Sequence, residues 1–140
     1  MSSTAPAAPV ILLAEDDRGI RETTTDLLSL LGAEVLAAPG GHAAAALLAQ
    51  RRVDLILSDL VMAEGDGTWL LQHVRTSPEL RAIPFLILSA RTEVQDRSAG
   101  LAAGADGYVT KPFDPETLLS AINAALRRRT PGAAGLRPLP

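Results

Sequence analysis

Five side chains stand where apolar runs stop. Glu15 and Asp16 follow Val10-Ile11-Leu12-Leu13-Ala14, and Asp59 ends Asp54-Leu55-Ile56-Leu57-Ser58. Ser89 follows Pro84-Phe85-Leu86-Ile87-Leu88, and Lys111 follows Tyr108-Val109-Thr110. Three carboxylates, a hydroxyl and an ammonium group suit phosphoryl chemistry. Carboxylates a few ångströms apart repel and resist full ionisation unless a cation sits among them. Magnesium fits that place, because it takes oxygen ligands, keeps several waters and binds through one or two carboxylates plus a phosphoryl oxygen; manganese would serve in its stead. Asp59 is then placed to attack phosphorus, with Lys111 neutralising the equatorial oxygens and Ser89 donating a hydrogen bond; the product is an aspartyl phosphate. Any one of these residues could be a solvated loop charge. Solvation alone does not account for an apolar run ending in an acid, an acidic triplet after another, and a lysine before a proline.

The elements that must bring these ends together are legible as patterns. Continuous apolar runs at 10–14, 54–59 and 84–88 read as strands buried on both faces, with shorter strands at 33–37 and 106–110. Between them, helical spacing recurs. Ile20, Thr24, Leu27, Leu28 and Leu31 form one stripe, with Asp17 as N-cap and Gly32 as C-terminal stop. His42 to Arg51 forms a small alanine-rich helix after Pro39-Gly40-Gly41. Leu70, Leu71 and Val74 mark a third helix ended by Ser77-Pro78. Thr92 and Gln95 have capping-box spacing for a thinly packed fourth helix that runs to Ala103 and stops at Gly104. Asp114-Pro115-Glu116 starts a fifth, striped by Leu118, Leu119, Ile122, Ala125 and Leu126 and ending in Arg127-Arg128-Arg129. Five alternating strand-helix units require an α/β fold, a doubly wound parallel sheet with right-handed crossovers and helices on both faces. The strand ends then share the carboxyl edge, where such sheets bind ligands.

Composition narrows the rest. A chain of 140 residues has room for one domain, and the absence of cysteine excludes disulfides, thiolate metal sites and a cysteine nucleophile. A net charge of -3 gives no general basis for direct nucleic-acid binding. No apolar run reaches the ~20 residues of a membrane helix and the start lacks a signal-peptide pattern, so a cytoplasmic protein is expected. Residues 1–9 read as a disordered lead, 10–129 as the folded domain, and 130–140 as a C-terminal tail or the start of a linker.

Four stretches carry a resemblance. Ile11 to Asp17 (ILLAEDD), Asp54 to Gly67 (DLILSDLVMAEGDG), Leu88-Ser89-Ala90 and Gly104 to Phe113 (GADGYVTKPF) resemble the receiver domain of bacterial two-component response regulators, in order from about Val10 to Arg129. The resemblance implies a flavodoxin-like sheet of strand order 2-1-3-4-5. It also implies phosphoryl transfer to Asp59 from a histidine kinase or phosphotransfer protein, with slow loss and no enzymatic turnover. Asp16 would be the direct magnesium ligand and Glu15 a ligand through water, beside Asp59 and the main-chain carbonyl of Val61. Ser89 and Tyr108 match the switch pair, Lys111 matches the phosphate-contacting lysine, and the Lys111-Pro112 bond would be cis. Drawing the Ser89 hydroxyl inward vacates space for Tyr108, and the surface of the fourth helix, fifth strand and fifth helix would signal to an effector protein or domain.

Departures qualify the match. Met62-Ala63 stands where the family usually has Met-Pro, which loosens that loop. Gly107 and Ala121 replace an acid and an arginine used in ion-paired winged-helix-class dimers, so any homodimer would be of another kind. The competing classes are a haloacid-dehalogenase-like phosphatase, which needs an acid where Val61 stands, and a receiver-like interaction module with a dead site, against which Asp59 and Lys111 argue. Trp69 falls on the polar side of its helix, either as a partner surface or as a ring lying over its neighbours. His42 and His73 read as solvated surface. Val61 and Arg91 would flank the phosphoryl group and restrict water.

Overall fold

Strand residues point alternately to opposite faces, so an unbroken apolar strand needs a helical layer on each side. The computed structural model, which describes residues 8–90, 94–129 and 135–139, meets that requirement. Five parallel strands, β1 (Val10–Ala14), β2 (Glu34–Ala38), β3 (Leu55–Ser58), β4 (Phe85–Ser89) and β5 (Gly107–Thr110), are ordered β2-β1-β3-β4-β5. They alternate with α1 (Arg18–Leu30), α2 (Gly41–Leu48), α3 (Gly67–Thr76), α4 (Val94–Ala102) and α5 (Pro115–Arg129). This is the expected flavodoxin-like topology.

One core unites Ile11, Leu13, Leu55, Leu57, Leu86 and Leu88 with Leu28 and Leu31 at the end of α1 and with Leu118, Ile122 and Leu126 of α5. The other unites Leu12, Ile56, Phe85 and Ile87 with Ala44 and Leu48 of α2 and with Leu70, Leu71 and Val74 of α3. Neighbouring residues of one strand therefore serve opposite layers. Among the described residues no helix is long and apolar enough to cross a membrane.

Helix ends follow their local chemistry. Asp17 Oδ1 accepts the Ile20 amide at 2.8 Å and Asp66 Oδ1 the Trp69 amide at 2.9 Å, each capping a helix. Ser77 is extended ahead of Pro78, which disfavours the helical region for its predecessor. At Gly104, φ of 111° turns the chain out of α4 while the Ala105 amide reaches back to the Gly100 carbonyl at 3.1 Å. Thr92, half of the expected capping box, lies outside the described residues.

Three expectations shift. The second strand begins at Glu34 rather than at Ala33, because the Ala33 amide closes the end of α1 on the Leu28 carbonyl at 3.0 Å. The second helix spans Gly41–Leu48 rather than 42–51, the chain beyond it continuing only as turns onto the Leu47 carbonyl. The largest difference concerns the segment read as tail or linker. Leu136 is buried in the α1–α5 core, so Gly135–Leu139 packs with the domain. A single leucine among Gly, Arg and Pro has no period by which sequence could place it.

Candidate functional site

The carboxyl ends of β1, β3, β4 and β5 form one rim. Parallel pairing aligns Ala14 with Ser58, Ser58 with Ile87 and Ser89 with Thr110, so Glu15 and Asp59 leave the sheet at one level while Ser89 and Lys111 stand one and two residues further along. Glu15, Asp16 and Asp59 each place a carboxylate oxygen within 4.8 Å of the others. Lys111 reaches across from the fifth strand. Its Nζ donates to Asp59 Oδ2 at 2.8 Å and also to Glu15 Oε1. Glu15 is buried, and the Lys111 and Asp59 side chains are only 12% and 14% exposed, so water screens this pair of contacts little. Burial alone would lower the lysine's pKa. The hydrogen bonds and negative charges of Asp59 and Glu15 outweigh that effect and hold the ammonium above its ordinary range.

Each carboxylate is also held by main chain. Asp59 Oδ1 accepts the Leu60 amide at 2.7 Å, Glu15 Oε2 accepts the Asp17 amide at 3.1 Å, and Asp16 Oδ2 accepts the Ala63 amide at 3.2 Å. The last bond ties the β3–α3 loop to the end of β1 at the position where proline is missing. The same loop is held from α2, since Gly41 donates to the Gly65 carbonyl at 2.7 Å and His42 to the Glu64 carbonyl at 3.1 Å. Gly67 allows the tightest approach, because a Cβ there would lie 2.0 Å from the Asp59 carbonyl oxygen.

Two contributors had no usable sequence signal. Arg21 Nη1 donates to the Glu15 carbonyl at 2.9 Å, fixing the acidic turn from α1, and the buried Ser58 hydroxyl donates to the Asp59 carbonyl at 2.8 Å. Arg21 reads in the sequence as an ordinary exposed helix residue. Only the path of the turn over α1 gives it a role.

Ser89 is buried at the end of β4, and its carbonyl accepts the Lys111 amide at 2.8 Å. Tyr108 is half-buried on β5 beside Ile87 of β4; the Arg97 guanidinium from α4 lies 5.5 Å from its ring centre and also donates to Thr110 Oγ1 at 3.2 Å. Val61 is 57% exposed on the loop after Asp59, and the Lys111-Pro112 bond is cis. Asp17 caps α1 and stands outside the carboxylate group. Arg91 lies outside the described residues. Trp69 is stacked on His73 at 5.2 Å and meets the edge of His42 at 4.6 Å, so the two histidines bracket the ring.

Three carboxylates within one ion's reach make an all-oxygen donor set, which suits a hard divalent cation and not a soft one. Beside the rim, Leu60, Val61, Leu71 and Ile87 face Ala99 and Gly100 of α4 and Ala103 just past its end across a cavity of about 240 Å³. The approach is close at Gly100, where a Cβ would lie 2.6 Å from Ile87 Cδ1.

The family model described as the response regulator receiver domain matches residues 11–123. The chain is 41% identical over 121 residues to response regulator MprA of Mycolicibacterium vanbaalenii, covering 86% of this chain and 52% of that protein. To the DNA-binding dual master transcriptional regulator RpaA of Synechocystis it is 39% identical over 128 residues, covering 90% of this chain and 53% of that one. It spans about half the length of these curated relatives. The signal receiver domain of a histidine kinase from Syntrophus aciditrophicus superposes with a TM-score of 0.80 at 32% identity, covering 88% of this chain and 93% of that one.

Proposed function

Since the chain belongs to the response regulator receiver domain family of two-component signalling, we propose that Asp59 is its phosphoacceptor and that a histidine kinase or phosphotransfer protein is the donor. The reading is carried by one observation: Lys111 Nζ bridges Asp59 and Glu15, with Asp16 beside them, at the rim where four strands end.

An Asp59 carboxylate oxygen bonds to phosphorus as the bond to the donor's imidazole nitrogen breaks, and the electron pair leaves with that nitrogen. The Leu60 amide and Lys111 fix the Asp59 carboxylate for in-line approach, so little reorganisation precedes attack. With three protons to give, Lys111 can turn from Glu15 to an equatorial phosphoryl oxygen, and the Ser89 hydroxyl at the end of β4 takes another. Magnesium, or manganese in its place, held by Asp16, Asp59 and the Val61 carbonyl with Glu15 reaching it through water, would supply charge neutralisation. Movement of Ser89 toward phosphate opens space on the β4 side of Tyr108, and the shift passes to α4 through Arg97 and the small-residue seam. A downstream effector protein or domain reads the α4–β5–α5 surface. DNA binding in the name of RpaA belongs to that protein; the net charge of -3 here favours a protein reader.

The test is incubation of the full chain with acetyl phosphate and magnesium, followed by mass spectrometry. A hydroxylamine-sensitive phosphoryl adduct on Asp59, absent from Asp59→Asn, is expected. An adduct of equal yield in Asp59→Asn, or none in the parent, overturns the proposal. Turnover of a phosphate ester would instead mark a phosphatase, and Val61 stands where that chemistry needs a second acid.

A further inference from the structure

The seam between the end of α1 and the middle of α5 holds a short peptide in a seat of several independent parts. Leu136 enters the core, 6% exposed, alongside Leu31, Ile122 and Leu126. Its backbone is gripped at both polar groups by one side chain, since its amide donates to Asn123 Oδ1 at 2.8 Å and its carbonyl accepts from Asn123 Nδ2 at 3.2 Å. The next amide, of Arg137, donates to the Leu31 carbonyl at 2.8 Å. That carbonyl is at the C-cap of α1, where the last carbonyls of a helix lack partners of their own. Gly135 fits because there is nothing on its Cα: a Cβ would lie 2.7 Å from Asn123 Oδ1. Beyond Arg137, Pro138 and Leu139 form one wall of a cavity of about 390 Å³ whose other walls include Leu31, Pro115 and Leu119.

These features match the physics of peptide recognition, in which main-chain hydrogen bonds hold the backbone and an apolar pocket selects one side chain. They also explain a residue the helix pattern leaves idle. Asparagine is a poor helix former, and Asn123 interrupts α5 between Ile122 and Ala125 with no local role.

We propose that the α1–α5 seam is a peptide-docking groove whose occupant is the chain's own segment Gly135–Leu139, and that this docking pins α5 to α1. This docking does not depend on phosphoryl chemistry. The groove takes a glycine, a leucine and a following main-chain donor, with Asn123 as its recognition side chain. Its consequence for the fold is that α5 is held from the side opposite α4, so movement of α4 need not carry α5 with it.

Amide hydrogen exchange in the full chain tests the proposal, with a free peptide of residues 133–140 as reference. The amides of Leu136 and Arg137 should exchange at least about tenfold more slowly in the protein than in the peptide. Leu136→Asp and Gly135→Val should each return Arg137 to the peptide's rate and quicken the Ala125 and Leu126 amides of α5, while Ile56 and Leu57 of β3 stay protected and so report an intact fold. Asn123→Ala should do the same at Leu136. Parent amides exchanging at the peptide's rate would refute docking, as would protection that survives both strap substitutions. Late α5 amides that ignore the loss of the strap would refute the pinning. Protection that falls on dilution together with a dimer-to-monomer change would assign the groove to a second copy and overturn occupancy in cis.

Discussion

Replacing Lys111 with methionine keeps an unbranched side chain of similar length and removes the charge that two carboxylates share. The structure sets the size of the effect. At an effective dielectric of ~20, a unit-charge contact at 2.8 Å is worth ~6 kcal/mol before desolvation is counted. Desolvation offsets much of this, yet removing one member of a buried pair leaves the other stranded at a net loss of ~3 to 5 kcal/mol. The lower figure suits this site, because it lies on a rim and water can reach the exposed Asp16. With an unfolding entropy of ~2.1 cal/mol/K per residue, a loss of ~3 kcal/mol in a chain of 140 residues lowers Tm by ~10 °C. Differential scanning calorimetry in a chelating buffer measures it. In millimolar magnesium the loss should shrink to less than half, because a divalent cation takes over the neutralisation of Glu15, Asp16 and Asp59. A Lys111→Met chain that melts within ~2 °C of the parent in chelator, or an equal loss with and without magnesium, would refute this account of the rim.

Gly67→Ala places a Cβ 2.0 Å from the Asp59 carbonyl and so must displace the end of β3; phosphoryl uptake from acetyl phosphate should slow by about a hundredfold with the circular dichroism spectrum retained, and uptake at the parent rate would exclude that role. At the opposite end of β5, the Asp106 carboxylate accepts from Arg75 at 2.9 Å, from Arg129 at 2.6 Å and from the Phe85 amide at 2.9 Å. Its side chain is buried, and burial, followed by the charge of Arg129, lowers the pKa of the Arg75 guanidinium against the pull of Asp106. Asp106→Ala should therefore cost ~3 kcal/mol in urea unfolding, and an unchanged midpoint would mean that the hub is dispensable. Asp114 caps α5 by accepting the Thr117 amide at 2.7 Å and its hydroxyl at 2.9 Å, and those bonds hold the carboxyl below its ordinary value of 3.8. Its folded value lies below its unfolded one, so the ionised cap contributes stability above pH 3.8, which fades as pH falls through the lowered folded value. Melting of Asp114→Asn against the parent should give a gap that is constant above about pH 5 and closes in stronger acid; a gap independent of pH would contradict the assignment.

The sequence by itself determined the layered sheet and most of its rim. Apolar runs such as Leu55-Ile56-Leu57 have one solution, burial on both faces, and a carboxylate or ammonium that follows such a run is carried to the strand's end. Caps and stops such as Asp17, Gly104 and Asp114 were legible for the same reason, since they act on backbone groups within four residues of themselves; the Asp66 cap of α3 was not read from the sequence. Tertiary structure alone decided what joins distant segments. The Ala63 amide on Asp16, Arg21 over the Glu15 carbonyl, the two arginines on Asp106 and the seat of Leu136 under Asn123 each depend on where separate elements cross. Periodicity records which face of one element is apolar. It holds nothing about which polar atom of another element will arrive there, and so a tail with no period could close the core, and a histidine pair read as solvated could bracket a tryptophan.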